Sequence, residues 1–440
     1  MSAQDIIKIR RPNYAKLDYA TIIDRYTKNR SAAEEYRQKI SYPQYLPWEK
    51  ARFITPPAGF TVEEAWFLSR DLQRPYTQRT PIRTPKGDPL HWLRLEYTDE
   101  FLNQFDLYMG GQFMTSRVRM SASEQQTFLT RGIIEESIAS SQLEGANVTR
   151  KKAKDMIAEN RTPRDKDEWM TLNNYTMMSK LTEVYKDVPL SQELLLEMHQ
   201  VVAAHTMPTD DIGRLRTNQD EITVGSASQT TYIPPDESFL RSELQRLVDF
   251  ANDEEPSQFI HPIVKAVMLH FWIGYLHPFT DGNGRVARAL FYWYLLKKNY
   301  WLATYIPIST VIRRAPLQYS DAYIYTEQDN NDFTYFYDYH MRKIRVALDD
   351  FIAYVEQQQA ENAHIDRVLD THGRLNDRQK QAMHYLLSNT HHRVSMTSHS
   401  SLNNISLGTA LSDLRQLQRM HLIFPARSGK FIYYYAKPLS

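Results

Sequence analysis

The sequence predicts a mainly α protein that folds as more than one domain. Residues 127–360 are mostly helical in pattern with few glycines, and patterns typical of strands are confined to two short hairpins. A chain of 440 residues exceeds one ordinary compact core, so we expect two or three domains. The predicted division is a mixed, partly helical N-terminal region, a central helical domain, a polar linker and a small C-terminal domain, at residues 1–120, 121–360, 361–374 and 375–440.

The composition is that of a soluble globular protein without a strong charge bias. Apolar residues make up 42% and charged residues 24%, and 53 Lys and Arg against 52 Asp and Glu give a net charge of +1. The absence of cysteine excludes disulfides, thiolate catalysis and cysteine-ligated zinc. The N-terminus lacks the apolar run of a signal peptide, and the longest apolar stretch, 266–276, is shorter than the roughly 20 residues of a membrane span. We therefore expect a cytoplasmic protein without a membrane partner.

Two central segments, 261–276 and 286–296, are predicted to be buried helices because they are apolar on nearly every face. Upstream of them, residues 221–238 place β-branched residues on both sides of a Gly/Ser turn, which predicts a hairpin. The histidines of the first segment, His261 and His270, would point to opposite faces of a helix and cannot share one metal ion. We expect both to have structural roles.

Between the two buried helices stand the twelve residues HPFTDGNGRVAR, at 277–288. Asp281, Gly282, Asn283 and Gly284 form a tight turn into the N-terminus of the second helix, where unpaired backbone N–H groups and the helix dipole attract an anion. The two glycines let the backbone approach phosphate oxygens and adopt the positive φ of an anion-binding nest. The turn therefore predicts a phosphate site.

Four side chains of the same stretch supply the other parts of a phosphotransfer site. Arg285 and Arg288 stand three residues apart on one face of the first helical turn and can bind further phosphate oxygens. Asp281 is a hard oxygen ligand suited to Mg²⁺ that bridges phosphates. His277, with an ordinary pKa of about 6.5, is able to remove a proton at neutral pH. The sequence thus predicts a phosphate cradle, a metal ligand and a base.

These twelve residues match the signature HPFxDGNGRxxR of the Fic family at every specified position. The segment GRLRT at 213–217 resembles the family's GxxR segment, and 223–235 resembles its flap hairpin, which ends in YxPP. Ser226 stands where the family often has a second glycine. The resemblance covers residues from about 130 to about 340 and implies a helical Fic-fold core with a β-hairpin flap.

The resemblance implies adenylylation, the transfer of AMP from Mg·ATP to a Tyr, Thr or Ser hydroxyl of a target protein. His277 would deprotonate the hydroxyl, and Asp281 would hold Mg²⁺ between the α- and β-phosphates. An extended stretch of the target would pair with the flap as an added strand. The residues that the resemblance assigns to the nucleotide are Gly282, Asn283, Gly284, Arg285 and Arg288. Those that it assigns to the flap are Thr223, Val224, Gly225 and Tyr232.

A second motif, SSQLEG, ends a predicted helix at about 129–145 and resembles the family's inhibitory motif (S/T)xxxE(G/N) in Ser140, Glu144 and Gly145. A glutamate at a helix C-terminus is unfavourably placed with respect to the dipole, so a cationic partner would stabilise it. The resemblance implies that this partner is Arg288 and that the pair prevents the γ-phosphate from binding productively. The alternative is a surface glutamate before a C-terminal glycine, as in many helices.

The C-terminal domain is predicted to contain three helices and then a hairpin, an order that resembles a winged helix-turn-helix. Residues 376–437 hold eight Lys and Arg against two Asp, a net charge of +6. Arg415 and Arg419 on the third helix and Arg427 and Lys430 in the hairpin would face DNA. A protein-docking or dimerising module has the same fold, so DNA, protein and a second copy of the chain all stay open as partners.

Other functions compete with adenylylation. A DNA-binding regulator could use a Fic core only to sense nucleotide, although a pure sensor has no need of His277. Relatives that transfer phosphate or phosphocholine are a further alternative. The phosphate-transferring branch commonly has lysine at the position of Gly284, so the glycine here favours AMP. In some relatives the glutamate of the inhibitory motif supports removal of AMP, so the reverse reaction stays open as well.

Overall fold

The structure is a computed structural model, and it describes most of the chain. The described residues are 6–109, 122–226, 229–254, 259–369, 375–387, 392–429 and 431–437. Within these ranges the chain forms eighteen α-helices and seven short β-strands, which confirms the mainly α fold class. The strands form two two-stranded sheets and one three-stranded sheet. None of the helices described is both long and apolar enough to cross a membrane.

The first four helices of the N-terminal region pack around a small core of their own, which includes the buried residues Ile22, Tyr36 and Trp66. The fourth helix starts with a capping box, in which Thr61 Oγ1 accepts from Glu64 N and Glu64 Oε2 accepts from Thr61 N. The helices of this region are α1 (Tyr19–Lys28), α2 (Arg30–Ser41), α3 (Trp48–Ala51), α4 (Val62–Gln73) and α5 (Glu96–Met109).

Between α4 and α5 the structure has a hairpin that the sequence did not predict. β1 (Thr77–Arg83) pairs antiparallel with β2 (Pro89–Leu93). Prolines hide these strands in the sequence, because proline cannot donate to a strand ladder. Pro81 falls where the register shifts between Arg79 and Arg83, so its missing N–H coincides with an irregularity of pairing. The expectation that the flap and the C-terminal hairpin are the only clear β elements is therefore wrong.

The central domain is built around α11 (Pro262–Leu276) and α12 (Asn283–Lys297), which pack against each other. Nearly every residue of both helices is buried, as their apolar character predicts. The predicted flap hairpin is present as β3 (Val224–Ser226) and β4 (Gln229–Tyr232). The other helices of this domain are α6 (Ala122–Leu143), α7 (Arg150–Ala158), α8 (Lys166–Glu183), α9 (Gln192–Ala203), α10 (Glu237–Ala251), α13 (Ile308–Ile312), α14 (Pro316–Gln328) and α15 (Thr334–Leu369).

Helix α15 extends into the segment predicted to be a linker. It runs for 36 residues, so residues 361–369 are helical, and this corrects the predicted start of the linker. The segment is polar, but it holds no glycine or proline before Gly373 that would interrupt a helix. Side chains four residues apart also support it, since Gln357 Nε2 donates to Glu361 Oε1 at 2.8 Å. Residues 370–374 of the predicted linker lie outside the described ranges.

The C-terminal part has an apolar core of its own, which includes Met383, Leu414 and Leu417. Asn376 and Gln379 form a capping box at the start of the first helix of this part, with bonds of 2.9 and 3.0 Å. The three helices and the hairpin follow in the predicted order, and a short additional strand joins the hairpin. The elements are α16 (Asp377–Leu387), β5 (Val394–Ser395), α17 (Met396–Asn403), α18 (Leu407–Arg419), β6 (Ile423–Ser428) and β7 (Phe431–Ala436).

Candidate active site

The loop between α11 and α12 forms the centre of the candidate site. α11 ends at Leu276, and His277, the C-cap residue that follows, has a left-handed backbone with a φ of 48°. Gly282 precedes α12 with a φ of 86°, a conformation that strongly favours glycine, and it provides no side-chain cap for the helix. Asn283 closes the loop, because its Oδ1 accepts from Phe279 N at 2.9 Å and its Nδ2 donates to Phe279 O at 2.8 Å. The N–H groups at the start of α12 therefore belong to a fixed loop suited to an anion.

His277 is oriented by its own helix and by Arg216. Its Nδ1 lies 3.3 Å from Gly274 O, so the proton on Nδ1 donates there and Nε2 carries the lone pair. Burial lowers the pKa of His277 below its usual range, and the charge of Arg216 acts in the same direction. Arg216 Nε donates to His277 O at 2.7 Å, and its Nη2 donates to Leu276 O at 3.1 Å. The imidazole is therefore neutral at pH 7, with Nε2 as a proton acceptor.

Asp281 presents a carboxylate at the N-terminus of α12. Its Oδ1 accepts from Gly282 N at 2.5 Å and lies 3.4 Å from Arg285 Nη2, and its side chain is 47% exposed. Mg²⁺ prefers carboxylate oxygens, and when it binds with nucleotide phosphates it needs only one or two of them. Across the described ranges, no group of three or more His, Cys, Asp and Glu side chains could hold a metal ion. The donor set fits a Mg²⁺ ion that binds together with phosphate.

Arg285 is almost fully buried and contacts the protein itself. Its Nη1 donates to Val202 O at 2.6 Å, at the end of α9, and its Nη2 contacts Asp281. Within the part of the chain that the structure describes, Arg285 Nε has no hydrogen-bond partner. Arg285 and Arg288 thus do not present a pair of guanidinium groups to a phosphate in this structure. Arg285 instead supports the loop. Its role toward phosphate stays a prediction.

The end of α6 lies beside the loop and contacts Arg288. Arg288 Nη2 donates to Glu144 Oε1 at 2.7 Å, and Nε donates to Ser140 Oγ at 2.8 Å. The Arg288 side chain is only 3% exposed, so this pair is screened little by solvent. Gly145 follows α6 with a φ of 93°. The predicted pairing of Glu144 with Arg288 is therefore present.

Gly284 shows how closely α6 approaches α12. A Cβ atom on Gly284 would collide with Glu144 Oε1 and would lie 3.2 Å from Arg288 Nη1. The carboxylate of Glu144 thus fills the space beside the first turn of α12. Elsewhere on α6, the buried Glu136 accepts from Ser309 N at 2.9 Å, and burial raises the pKa of Glu136. That contact, which the sequence did not indicate, fixes α6 to α13.

The flap hairpin is attached to the central domain by Tyr232. The hydroxyl of Tyr232 donates to a backbone carbonyl of α11 at 2.9 Å. Val224 lies opposite Tyr232 in the hairpin, and Gly225 lies opposite Thr230. Thr223 precedes the first strand and is exposed. Of the residues predicted to contact a target, Tyr232 thus anchors the flap.

A segment near the N-terminus lies against the flap. Ile7 N donates to Thr230 O at 3.1 Å. Gln328, at the end of α14, donates from Nε2 to Ile7 O at 2.6 Å and accepts from Ile9 N at 3.0 Å. One edge of β4 therefore contacts another part of the same chain. The sequence carries no signal for this contact, because an extended segment can pair with any strand edge.

His199, which no sequence motif identified, connects the loop to the segment that precedes the flap. Its ring lies in α9, where Nδ1 accepts from Gly213 N at 2.9 Å and Nε2 lies 3.0 Å from Asp281 O. Burial is the main reason that the pKa of His199 falls to about 4, so the ring is neutral.

The two histidines of α11 and its N-cap have the structural roles expected of them. His261 bonds to Asp106, and His270 bonds to Tyr319.

The fold and the loop define a mainly α protein with a histidine and a carboxylate at a helix N-terminus that is suited to an anion. Residues 189–295 match the sequence model of the Fic/DOC family. The chain therefore contains a Fic/DOC domain, which confirms the family resemblance of the sequence.

Curated proteins similar to this chain include two named as adenylyltransferases. Protein adenylyltransferase Fic of Drosophila willistoni is 33% identical over 127 residues, which are 29% of this chain and 22% of that protein. Protein adenylyltransferase fic-1 of Caenorhabditis elegans is 38% identical over 101 residues, 23% of this chain and 18% of that protein. The chain thus spans about a fifth of the length of the curated relatives it matches.

Solved structures similar to this one include two Fic proteins. A Fic family protein from Desulfovibrio desulfuricans is 18% identical with a TM-score of 0.45, and the match covers 77% of this chain and 93% of that chain. Fic-1 of Caenorhabditis elegans is 17% identical with a TM-score of 0.45, and the match covers 76% of this chain and 84% of that chain.

Proposed function

We propose that this protein transfers AMP from Mg·ATP to a Tyr, Thr or Ser hydroxyl of a target protein and that Glu144 inhibits it. The observation that supports this best is the neutral His277, with its Nε2 unprotonated, next to the anion-binding N-terminus of α12. A protein that only senses nucleotide has no need of such a base. The names of the two adenylyltransferase relatives agree with the proposal.

In the proposed reaction, His277 Nε2 takes the proton of the attacking hydroxyl. The hydroxyl oxygen forms a bond to the α-phosphorus while the bond from that phosphorus to the bridging oxygen breaks, and pyrophosphate leaves. The N–H groups at the start of α12 would stabilise the negative charge on the phosphoryl oxygens. Because Arg216 already holds the carbonyl of His277, the imidazole needs little rearrangement to act.

We assign Asp281 to Mg²⁺, because its carboxylate is half exposed at the edge of the anion site. Mg²⁺, when bound, neutralises part of the phosphate charge. Backbone N–H groups of Asn283 and Gly284 would bind the α-phosphate, and that of Gly282 would join them when phosphate replaces Asp281 Oδ1 as its acceptor. Arg288 would bind the γ-phosphate once Glu144 has left it. The positive charge of Arg285 would attract the phosphates of the nucleotide from its buried position.

For the target, we propose that an extended segment pairs with the flap along 223–225, because the edge of β4 already contacts the N-terminal segment through Thr230. Thr223, Val224 and Gly225 would then supply the docking edge, while Tyr232 keeps the hairpin in place. Main-chain pairing of this kind selects an extended protein segment, and the hydroxyl of that segment would have to reach His277.

Transfer of AMP fits the site better than the phosphate transfer of relatives that have a lysine in place of Gly284. The collision of even a Cβ atom with Glu144 supports this choice, since a longer side chain needs more room. Removal of AMP is the second candidate. It is favoured by one observation, the retention of Glu144 next to the loop, where a carboxylate can act on a bound water.

For the C-terminal unit we propose a docking role, with DNA, protein or a second copy of the chain as the partner. Arg415 and Arg419 on α18 and Arg427 in the hairpin are exposed, as DNA contacts would require, and Lys430 lies outside the described residues. The unit also contacts α7, where Tyr433 Oη donates to Glu159 Oε1 at 2.8 Å. Retardation of random duplex DNA at low salt would favour DNA, and its absence would favour protein.

The cysteine-free composition is the basis for proposing a cytoplasmic location.

The experiment that tests the proposed function is intact-mass measurement after incubation with Mg·ATP. Wild type, Glu144→Gly and the double variant Glu144→Gly/His277→Ala are compared. A gain of one AMP in the single variant alone supports AMP transfer, the base and the inhibitor together. Equal transfer by the double variant would contradict the role of His277. No transfer in any sample, with a panel of cell proteins added as targets, would contradict AMP transfer itself.

A further inference from the structure

His199 contacts both the loop between α11 and α12 and the segment that precedes the flap. Its Nδ1 accepts from Gly213 N at 2.9 Å, which leaves the proton on Nε2, and Nε2 donates to Asp281 O at 3.0 Å. The ring is fully buried and stacks on Phe279, with centroids 3.9 Å apart and planes at 2°. Because both nitrogens are bonded and one face is covered, the ring has a single orientation. It therefore fixes where the carbonyl of Asp281 points.

That carbonyl belongs to the same peptide as the N–H of Gly282. In a trans peptide the two groups point in opposite directions, so a carbonyl directed at α9 turns the Gly282 N–H away from it. There the N–H donates to Asp281 Oδ1 at 2.5 Å. Gly282 has a φ of 86° and a ψ of 0°, the values of the third residue in a type II turn. Reversing the peptide gives a type I turn, which glycine also tolerates.

We propose that His199 is a positioning residue that selects one of these two orientations of the peptide between Asp281 and Gly282. The inference rests on the proposed function, because the orientation matters for binding Mg·nucleotide. In the observed orientation an N–H donor faces away from His199, on the side of the Asp281 carboxylate. In the reversed orientation a carbonyl oxygen would take its place and repel phosphate. Loss of the Nε2 bond should therefore weaken nucleotide binding without unfolding the protein.

Two substitutions separate the contributions of the two ring nitrogens. His199→Gln places an amide nitrogen near the position of Nε2, which can still donate to Asp281 O. His199→Asn places an amide oxygen near the position of Nδ1, which can accept only from Gly213 N. Both are made in the Glu144→Gly protein, and calorimetry measures the binding of Mg²⁺ with a non-hydrolysable ATP analogue. We expect His199→Asn to weaken binding about 10-fold, the effect of one hydrogen bond, and His199→Gln to weaken it about threefold or less.

Hydrogen exchange in the nucleotide-free proteins gives a readout that does not depend on activity. The Gly282 amide should exchange faster in His199→Asn than in His199→Gln, because only the first loses the bond that holds the peptide. The Gly213 amide should show the opposite order. Thermal unfolding of both variants establishes that each is folded before the two are compared.

Equal weakening of binding by both substitutions, with Gly282 exchange the same in both, would show that His199 only fills the core and would overturn the proposal. If the pair behaves as expected but no AMP is transferred, the positioning role stands and the proposed reaction fails. If the parent protein binds no nucleotide, Gly282 exchange decides the matter by itself, since it needs no ligand.

Discussion

Glu144 Oε1 lies 2.7 Å from Arg288 Nη2 and also fills the space that any side chain at Gly284 would need. One carboxylate therefore acts on the loop in two ways. It neutralises an arginine that is only 3% exposed, where solvent screens the pair little, and it excludes other groups from the first turn of α12. A phosphate that approaches Arg288 would have to displace this carboxylate.

The two effects of Glu144 can be separated by substitution. Glu144→Gly removes both the charge and the side chain, whereas Glu144→Gln removes the charge and keeps the volume. If AMP is transferred as proposed, we expect Glu144→Gly to raise the rate about 10- to 100-fold, the value of a charge-assisted hydrogen bond, and Glu144→Gln to raise it less. The measurement is the initial rate of AMP incorporation from labelled ATP.

A matched control for these variants is available on the same helix. Glu135 pairs with Arg150 Nε at 2.8 Å and with Lys154 at 2.9 Å, both on α7, and its ion pairs within the described part of the chain are not with the loop. Glu135→Gln should leave AMP incorporation at the wild-type rate. Activation by Glu135→Gln as strong as that of Glu144→Gly would show that loosening α6 is enough, and that the contact with Arg288 is not the cause.

Gly284→Ala should have opposite effects on stability in two backgrounds. In wild type the new Cβ displaces Glu144 Oε1, the far end of a flexible side chain, so the cost is that of weakening its hydrogen bond to Arg288, about 1 kcal/mol or more. In Glu144→Gly the obstacle is gone, and the higher helix propensity of alanine should make the change neutral or stabilising by up to about 1 kcal/mol. Urea denaturation of wild type, the two single variants and the double variant gives the coupling free energy between the two substitutions. Strict additivity of the two substitutions would contradict the close approach.

Activity should persist to lower pH than an ordinary histidine would allow. Burial is the largest cause that lowers the pKa of His277, the charge of Arg216 also lowers it, and Glu144 and Asp281 partly oppose them. A base works in its neutral form, which exists above its pKa, so activity falls only when the pH drops through the lowered value. We expect kcat/KM of Glu144→Gly to stay flat from pH 8 to about 6.5 and to decline below that.

The removal of Glu144 in that variant strengthens the expectation, because the glutamate raises the pKa of His277 and its loss shifts the acidic limb further down. The measurement is the pH profile of kcat/KM. The midpoint of its acidic limb is compared with about 6.5, the ordinary pKa of histidine. A midpoint at or above 6.5 would mean that the imidazole is not the group whose deprotonation limits transfer.

The position of the loop could be predicted from the sequence because its residues lie in one short stretch. His277, Asp281 and Gly284 stand between helices that are apolar all round, so their place at a helix N-terminus follows from local pattern. The contact of Glu144 with Arg288 joins residues 144 positions apart, and only the family resemblance connected them.

Other features depend on contacts that leave no local pattern. His199 lies 82 residues before Asp281, and in the sequence it is a single histidine among the apolar residues that α9 buries. Pro81 conceals β1, because a strand that shifts register at a proline does not show regular alternation. Polar composition predicts a linker at 361–369, but α15 continues through these residues because none of them breaks a helix.

The N-terminal segment should leave the flap when its contact with Gln328 is removed. Gln328 makes two hydrogen bonds to this segment, at 2.6 Å to Ile7 O and 3.0 Å from Ile9 N, and Ile7 N in turn donates to Thr230 O at 3.1 Å. Gln328→Ala removes two bonds of about 1 kcal/mol each, so we expect the Ile7 and Ile9 amides to exchange about 10-fold faster or more.

Asn330→Ala is the matched control for this prediction. The Asn330 side chain is close to Gln328 in sequence, and within the described residues its hydrogen bond is to its neighbour Asp329, at 3.5 Å. Exchange at Ile7 should therefore stay as in wild type. Amides of the flap strands that pair with each other should keep their protection in both variants, because the hairpin is anchored separately by Tyr232. If Gln328→Ala leaves the exchange of the Ile7 amide unchanged, the N-terminal segment is held by β4 alone. The edge of β4 would then be covered in the variant as it is in wild type.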